Sequence, residues 1–140
     1  MLRLLRSLLL PRSTAPSGGE AGEAAAAAFL QGRGFRLLAQ NWRNPHDERE
    51  EIDLVALEGE VLVFVEVKAR AANALVPGYF AVNADKKKVL RRAALAYLRG
   101  MRVRPVTFRL DVVEVAHTPG SPPQLLHFEN VPLFAKHDRP

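Results

Sequence analysis

Two apolar strands around a short turn constrain this chain more than any other feature of its sequence. Residues 51–68 are rich in branched aliphatic side chains, and residues 58–60 read Glu-Gly-Glu, which is typical of a hairpin turn. The strands carry three ionisable side chains, Asp53, Glu66 and Lys68, among residues that favour burial. Charges taken out of water need a partner or a bound ion, so this hairpin predicts a functional site.

The register of the hairpin decides whether these side chains meet. Side chains alternate faces along a strand, so Glu66 and Lys68 point the same way. A two-residue turn on residues 59–60 or on residues 58–59 places Asp53 on the face of Glu66, and in the first case directly opposite it. A three-residue loop without a bulge would put the two acids on opposite faces.

Two carboxylates and a lysine on one strand face suit phosphodiester hydrolysis. Neighbouring carboxylates can hold Mg²⁺ or Mn²⁺, which polarises a phosphate and lowers the pKa of its bound water. Lys68 could orient or deprotonate that water or, when charged, stabilise the developing negative charge. The alternative is an exposed ion pair of Glu66 with Lys68, which is common and contributes little.

Several segments, in this order, resemble the YraN family of predicted bacterial endonucleases. They are Gly22-Glu23, Asn41-Trp42-Arg43, Glu51-Ile52-Asp53-Leu54, residues 64–70 and Lys86. That family is regarded as distantly related to archaeal Holliday-junction resolvases within the PD-(D/E)xK nuclease superfamily. The resemblance implies an α/β restriction-endonuclease-like fold with a mixed central sheet flanked by helices. It also implies a metal-dependent endonuclease that acts as a dimer on DNA, such as branched or recombination intermediates.

The resemblance assigns roles to individual residues. The implied active-site set is Glu23 on the first helix with Asp53, Glu66 and Lys68. Asp53 and Glu66 would be the ligands of Mg²⁺ or Mn²⁺, and Lys68 the catalytic amine. Lys86 matches a recurrent lysine of the family. Without the resemblance, Glu23 would be read as an exposed acid favoured near a helix N-terminus.

The chain departs from the family pattern at two places. Ile52 stands where the superfamily name has proline, which leaves the ligands untouched. Residues 44–50 form an acidic link that is longer than usual and ends in Glu50 rather than glycine. We interpret this link as a solvated surface turn.

Length and charge limit the other classes of function. A chain of 140 residues with 48% hydrophobic residues builds one domain, and a net charge of +5 favours a polyanionic partner such as nucleic acid. The absence of cysteine excludes a disulfide framework, a thiolate zinc site and a cysteine nucleophile, and it fits the cytoplasm.

Hydrophobic patterns predict the remaining elements. Residues 20–31 favour a helix, residues 35–43 and 106–115 favour strands, and residues 124–128 favour a short edge strand. Residues 84–99 predict a helix with Asn83 as its N-cap, an apolar stripe on one side and cations on the other. That basic side is either a solvated face or a nucleic-acid surface. The candidate nucleic-acid-binding residues are Arg70, Lys86, Lys87, Lys88, Arg91 and Arg92.

The ends of the chain are predicted to lie outside the fold. Residues 1–19 carry three arginines, no acid and an apolar run too short to span a bilayer. We interpret them as a disordered or misassigned extension, with a membrane-surface helix or transit-like peptide as the alternative, and we expect no stable membrane insertion. The nuclease-like domain would then comprise residues 20–135, followed by a frayed tail at residues 136–140.

Some polar residues receive no functional role from the sequence. The alternation of Phe108, Leu110 and Val112 predicts that Asp111 lies at the surface. The four histidines lack metal-ligand spacing and stay unassigned.

Two other functional classes are compatible with the sequence. A non-catalytic nucleic-acid-binding accessory protein would keep the fold as a platform, and the basic charge would serve it equally. A structural partner protein would use Glu66 and Lys68 only as an ion pair. The set of Asp53, Glu66 and Lys68 favours the enzyme, because two acids repel phosphate unless a cation neutralises them.

Overall fold

Two helices and five strands make up the described part of the chain. The computed structural model describes residues 18–72 and 82–133. The helices are α1 (Gly18–Gly32) and α2 (Ala84–Gly100), and the strands are β1 (Arg36–Asn44), β2 (Asp47–Glu58), β3 (Val61–Ala71), β4 (Thr107–His117) and β5 (Gln124–Val131). The extension predicted at residues 1–19 lies outside the described residues except for its last two, which begin α1. The predicted tail at residues 136–140 also lies outside them.

The strands form one mixed sheet in the order β1-β2-β3-β4-β5. The pairs β1/β2, β2/β3 and β4/β5 are antiparallel, and β3/β4 is parallel. A parallel pair needs a crossover connection, and here that connection contains α2. This arrangement confirms the predicted α/β fold with a mixed central sheet flanked by helices.

The central strand β3 is buried on both faces. Leu62 and Phe64 pack in one cluster with Leu90 of α2, whereas Val63 and Val65 pack in another cluster with Leu30 of α1. The helices therefore cover opposite faces of the sheet, and burial on both sides explains the continuous apolar run in this strand. Neither helix of the described ranges is long and apolar enough to cross a membrane.

Local sequence sets the start and the orientation of α2. The Asn83 side chain accepts a hydrogen bond from the backbone N–H of Lys86 at 2.9 Å, which confirms the predicted N-cap. Leu90, Ala94 and Leu98 are buried against the sheet, as the apolar stripe predicts. The cationic side therefore faces away from the core.

The acidic link predicted to be a surface turn is mostly strand. Only Pro45 and His46 form a turn, and residues 47–50 extend β2. The Asn44 side chain accepts the N–H of His46 at 3.0 Å and donates to the Glu50 carboxylate at 2.9 Å. These bonds close a tight turn, so β1 and β2 pair as far as Asn44 and Asp47.

The prediction that Asp111 lies at the surface is wrong, because this residue is completely buried. Arg109 donates to both carboxylate oxygens, from Nε at 2.8 Å and from Nη2 at 3.1 Å. The backbone N–H of Asn130 donates a third bond at 2.9 Å, from a bulged stretch of β5 in which Asn130 has a φ of 55°.

His127 completes the environment of Asp111 and has a defined tautomer. Its Nε2 lies 2.8 Å from Asp111 Oδ2, and its Nδ1 lies 3.0 Å from Nη1 of Arg33. A guanidinium only donates hydrogen bonds, so Nδ1 of His127 accepts from Arg33, and the Nε2–H of His127 donates to Asp111 Oδ2. The ring also contacts Phe29 and Phe35 edge to face, which ties α1 to β5.

Candidate active site

The β2–β3 hairpin turns on Gly59 and Glu60. Glu58 pairs with Val61, which is the register of the two-residue turn on residues 59–60. Gly59 has a φ of 59°, a conformation that glycine adopts without a Cβ clash. Continued by one pair beyond the last ladder pair, the same register sets Asp53 opposite Glu66.

Regular pairing of β2 and β3 ends next to these two acids, at Leu54 and Val65. Beyond that point Asp53 Oδ2 accepts the backbone N–H of Val67 at 2.8 Å. A side-chain carboxylate, and not a backbone carbonyl of β2, is therefore the acceptor for this N–H of β3. A carboxylate that accepts a backbone N–H is firmly oriented. Asp53 is therefore held against β3 beside Glu66.

Glu66 is a buried carboxylate that its surroundings satisfy only in part. Its side chain is 4% exposed, and its Oε1 lies 3.5 Å from the Nζ atoms of both Lys68 and Lys86. Its Oε2 is buried without a hydrogen-bond partner among the described residues. The predicted alternative of an exposed ion pair is therefore wrong for Glu66.

The electrostatics of Glu66 follow from this geometry. Burial, and after it the negative charge of Asp53, raises the pKa of Glu66 to about 7. Lys86 and Lys68 act in the opposite direction but do not cancel the rise. A buried carboxylate oxygen without a partner, next to a second carboxylate, is an arrangement that a bound cation would satisfy.

Helix α1 brings Glu23 to the same acids. A Cβ atom at Gly22 would lie 3.1 Å from the Cβ of Ala69, so glycine lets the helix approach β3 closely. Burial, and after it the charge of Asp53, raises the pKa of Glu23, while a hydrogen bond with the Asn41 side chain lowers it. Asp53 thus influences both Glu23 and Glu66, and the structure brings the predicted acids together.

Strands β1 and β2 depart from strict alternation of faces next to Asp53. Ala39 and Trp42 pack in the cluster under α2 although they are three residues apart, and so do their neighbours Ile52 and Val55. Strict alternation would send residues three apart to opposite faces. Asn41, with a φ of 50°, lies within this irregular stretch of β1, beside Asp53.

The sequence analysis did not identify Glu114 as a residue of this face. Glu114 is buried on β4 and pairs in register with Lys68, and its Oε1 lies 3.8 Å from Nε of Arg70. The signal was present, because Glu114 is an acid inside an apolar strand, as Glu66 is. The parallel pairing that aligns β4 with β3 is not readable from the sequence.

The six cations predicted to bind nucleic acid occupy two places. Lys86 and Arg70 lie at the acidic cluster, which comprises Glu23, Asp53 and Glu66 with Glu114 beside them. Lys86 pairs with Glu66, and Arg70 pairs with Glu114. The others lie further along α2, where Lys88 and Arg92 are exposed and Lys87 and Arg91 are partly buried. The structure therefore assigns Lys86 to the surroundings of Glu66 rather than to an open basic face.

Comparison with known proteins identifies the family. The model of the uncharacterised protein family UPF0102 matches residues 22–115, which contain Glu23, Asp53, Glu66 and Lys68. The chain belongs to the UPF0102 family. This result confirms the resemblance to the YraN family, which is UPF0102, whereas the relationship to the nuclease superfamily stays a prediction.

Curated relatives in this family share much of their length with the chain. A UPF0102 protein of Symbiobacterium thermophilum is 46% identical over 101 residues, covering 72% of this chain and 83% of the relative. A UPF0102 protein of Paenarthrobacter aurescens is 38% identical over 113 residues, covering 81% and 91%. A UPF0102 protein of Renibacterium salmoninarum is 39% identical over 113 residues, covering 81% and 93%.

The two neighbouring carboxylates of this UPF0102 protein are oxygen ligands of the type that Mg²⁺ and Mn²⁺ bind. Within residues 18–72 and 82–133, no group of three histidine, aspartate or glutamate side chains is arranged to hold a metal. Zinc sites in proteins use three or four such ligands or thiolates. Mg²⁺ often takes one or two carboxylates and completes its shell with water and substrate phosphate. Asp53 and Glu66 would be those two carboxylates.

Replacing Glu66 with glutamine tests whether the UPF0102 protein buries a destabilising charge. The pKa of Glu66 is higher in the folded than in the unfolded protein, so stability falls as the pH rises from 4.5 to about 7 and then levels off. Without metal at pH 8, Glu66→Gln should raise the free energy of unfolding by about 3 kcal/mol. The gain should shrink as the pH falls from about 7 towards 4.5, the ordinary pKa of this carboxyl, and should vanish well below it, where the carboxyl is neutral in both states.

Urea unfolding in EDTA across this pH range measures the effect. The control is Glu129→Gln, which removes the same charge from an exposed position on β5. A stability difference between wild type and Glu66→Gln that does not change with pH would contradict the raised pKa.

Proposed function

We propose that this UPF0102 protein is a metal-dependent endonuclease that hydrolyses phosphodiester bonds of DNA. The observation that carries the proposal is Glu66, a buried carboxylate with an unpartnered oxygen and a pKa near 7 beside a second, fixed carboxylate. Such a buried charge destabilises the fold unless a bound cation neutralises it. Carboxylates with a strongly raised pKa are common at functional sites.

Each side chain of the site would have its own role in the proposed hydrolysis. Asp53 and Glu66 would hold Mg²⁺ or Mn²⁺, which when bound supplies Lewis acidity and a water of lowered pKa. Lys68 is positioned by the Glu66 carboxylate, 3.5 Å away, and can orient the attacking water or offset the charge that develops on the phosphate. Glu23, on the α1 side of Asp53, adds a further carboxylate for water or metal.

Arg70 and Lys86 supply positive charge beside the acids. Both are held by carboxylates, Arg70 by Glu114 and Lys86 by Glu66, so their long side chains are already oriented. Oriented cations contact phosphate at a smaller entropic cost than free ones. They offset the repulsion between the acidic cluster and a DNA backbone, and the exposed cations of α2 extend this positive surface.

The substrate and the assembly follow from the resemblance to Holliday-junction resolvases. On that basis we extend the proposal to branched or recombination intermediates and to a twofold dimer. A symmetric dimer would present two copies of the acidic cluster to two strands.

A second candidate is a non-catalytic nucleic-acid-binding accessory protein. It is favoured by the ion pairs of Lys68 and Lys86 with Glu66, which partly neutralise this acid without a metal. In such a protein Lys68 and Lys86 would serve only to hold Glu66.

A cleavage assay tests the proposal and separates the two candidates. Labelled single-stranded, linear duplex and four-way-junction DNA are incubated with the wild-type protein and Mg²⁺ or Mn²⁺. The proposal predicts cleavage of at least one substrate, stopped by EDTA. Binding of these substrates without cleavage in either metal would overturn the endonuclease and favour the accessory protein.

A further inference from the structure

A groove lies on the α2 side of the sheet, between the β1–β2 turn and the last turns of α2. Its volume is about 750 Å³, and its lining includes Trp42, Pro45, His46, Tyr97, Arg99 and Met101. This volume falls within the range of about 300–1,000 Å³ that is usual for small-ligand sites. The groove takes no part in the proposed hydrolysis.

The lining combines aromatic rings with cationic or polar side chains. Trp42 and Tyr97 meet edge to face with ring centroids 5.2 Å apart, and both side chains are partly exposed. His46 and Arg99 are exposed beside them. Unstacked nucleobases are bound by this combination, in which rings and guanidinium planes stack on the base and polar groups contact its edge.

The aromatic contacts continue from the groove towards the acidic cluster. Tyr97 contacts Phe64 at 5.9 Å between ring centroids, and Phe64 lies two residues before Glu66 on the same face of β3. Two residues of a strand span about 7 Å. On the neighbouring strands, Trp42 pairs with Ile52, which directly precedes Asp53. A strand with a phosphate at the cluster would therefore have a nearby base within reach of the groove.

The acids around the groove are largely engaged with other side chains. The Asp47 carboxylate receives the Arg49 guanidinium at 2.9 Å, and Glu51 lies 3.3 Å from Arg43. Glu50 accepts its bond from Asn44. Paired acids repel a nucleic-acid backbone less than free ones do, so the acidic composition of this turn does not exclude DNA.

We propose that this groove binds an unstacked nucleobase of the strand that is cut. The inference rests on the proposed function and narrows its substrate to DNA with an unpaired base beside the scissile phosphodiester, such as a single strand or a branch point. A base inside a duplex is stacked and would first have to be extruded.

Tryptophan fluorescence tests this proposal directly, because Trp42 of the groove is the single tryptophan of the chain. The wild-type protein is titrated in EDTA with oligothymidylate and with an abasic deoxyribose-phosphate strand of the same length and charge. Its tryptophan fluorescence is recorded together with the anisotropy of a dye on the strand. We expect saturable quenching by oligothymidylate and none by the abasic strand, which should bind roughly tenfold to a hundredfold more weakly.

Two groove variants and a matched control locate the effect. His46→Ala and Arg99→Ala change exposed side chains of the groove, and each should weaken oligothymidylate binding several-fold while changing abasic binding little. Arg102→Ala is the control for Arg99→Ala, because it removes a positive charge from an exposed position outside the groove lining. It should leave the preference for oligothymidylate over the abasic strand unchanged.

The outcomes separate this inference from the proposed function. Equal fluorescence responses to both strands, or binding of both without any response, would overturn the base site even if the protein cleaves DNA with Mn²⁺. Failure of both strands to bind would overturn the base site as well. If DNA is then also not cleaved in the metal-containing assay, the endonuclease proposal fails with it.

Discussion

Asp53→Asn is expected to lower the rate of DNA cleavage by about 1,000-fold or more while leaving the fold intact. The asparagine oxygen can still accept the N–H of Val67, so the hairpin keeps the bond that fixes this side chain. The negative charge that would hold the metal is lost. A catalytic metal contributes several kcal/mol to the transition state, and about 4 kcal/mol corresponds to 1,000-fold in rate.

Single-turnover cleavage in Mn²⁺, with the best substrate found for the wild type, measures this loss. Glu129→Gln controls for the change in net charge, because Glu129 is exposed on β5, on the far side of β4 from the acidic cluster. Cleavage by Asp53→Asn within tenfold of the wild-type rate, at unchanged thermal stability, would show that Asp53 does not hold the catalytic metal.

Asp111→Asn is expected to lower the free energy of unfolding by about 3–5 kcal/mol without abolishing function in the remaining folded protein. The buried carboxylate balances Arg109 and accepts bonds from His127 and the Asn130 backbone. Removing one partner of a buried ion pair leaves the other charge uncompensated. For a domain whose total stability is about 5–15 kcal/mol, the melting temperature should fall by roughly 10–20 °C.

Urea and thermal unfolding of the variant measure this loss. Glu58→Gln is the matched control, because Glu58 also contacts Arg109, at 3.0 Å, but its side chain is 43% exposed. Screening by solvent should limit the cost of that change to less than about 1 kcal/mol. Equal effects of the two substitutions would contradict a special role for the buried carboxylate.

Local sequence signals predicted the hairpin and α2 because each of these elements is encoded within a few residues. Gly59 supplies the positive φ that sets the register, and from that register follows the placement of Asp53 opposite Glu66. Asn83 and the stripe of Leu90, Ala94 and Leu98 define the start and the buried side of α2. In these segments the local preference and the final packing agree.

The features that the sequence did not reveal depend on residues far apart in the chain. Asp111 is buried because Arg109 of its own strand neutralises it and His127 of β5 donates a hydrogen bond to it. Glu114 reaches Arg70 only through the parallel pairing of β3 with β4. The irregular stretch near Asn41 breaks strict alternation, from which faces are read in a sequence. Each of these outcomes required tertiary contacts.

Two of the buried acids, Asp111 on β4 and Glu66 on β3, use burial in opposite ways. Asp111 has a partner for each of its oxygens, so its burial rigidifies the sheet edge. Glu66 keeps one oxygen without a partner among the described residues, and burial raises its pKa to about 7. A fully satisfied acid is expected where the role is structural, and a partly satisfied one where a ligand completes the site.

Calorimetric titration of Mn²⁺ into the wild-type protein, Asp53→Ala and Glu66→Ala, with Glu129→Gln as control, tests the metal site most directly. We expect saturable binding in the wild type and in the control, and loss of this binding in both site variants. Because burial raises the pKa of Glu66 to about 7, binding at neutral pH should also release protons, seen as a heat that changes with the buffer. Undiminished binding in the site variants, or no binding to the wild type even with DNA present, would contradict the account.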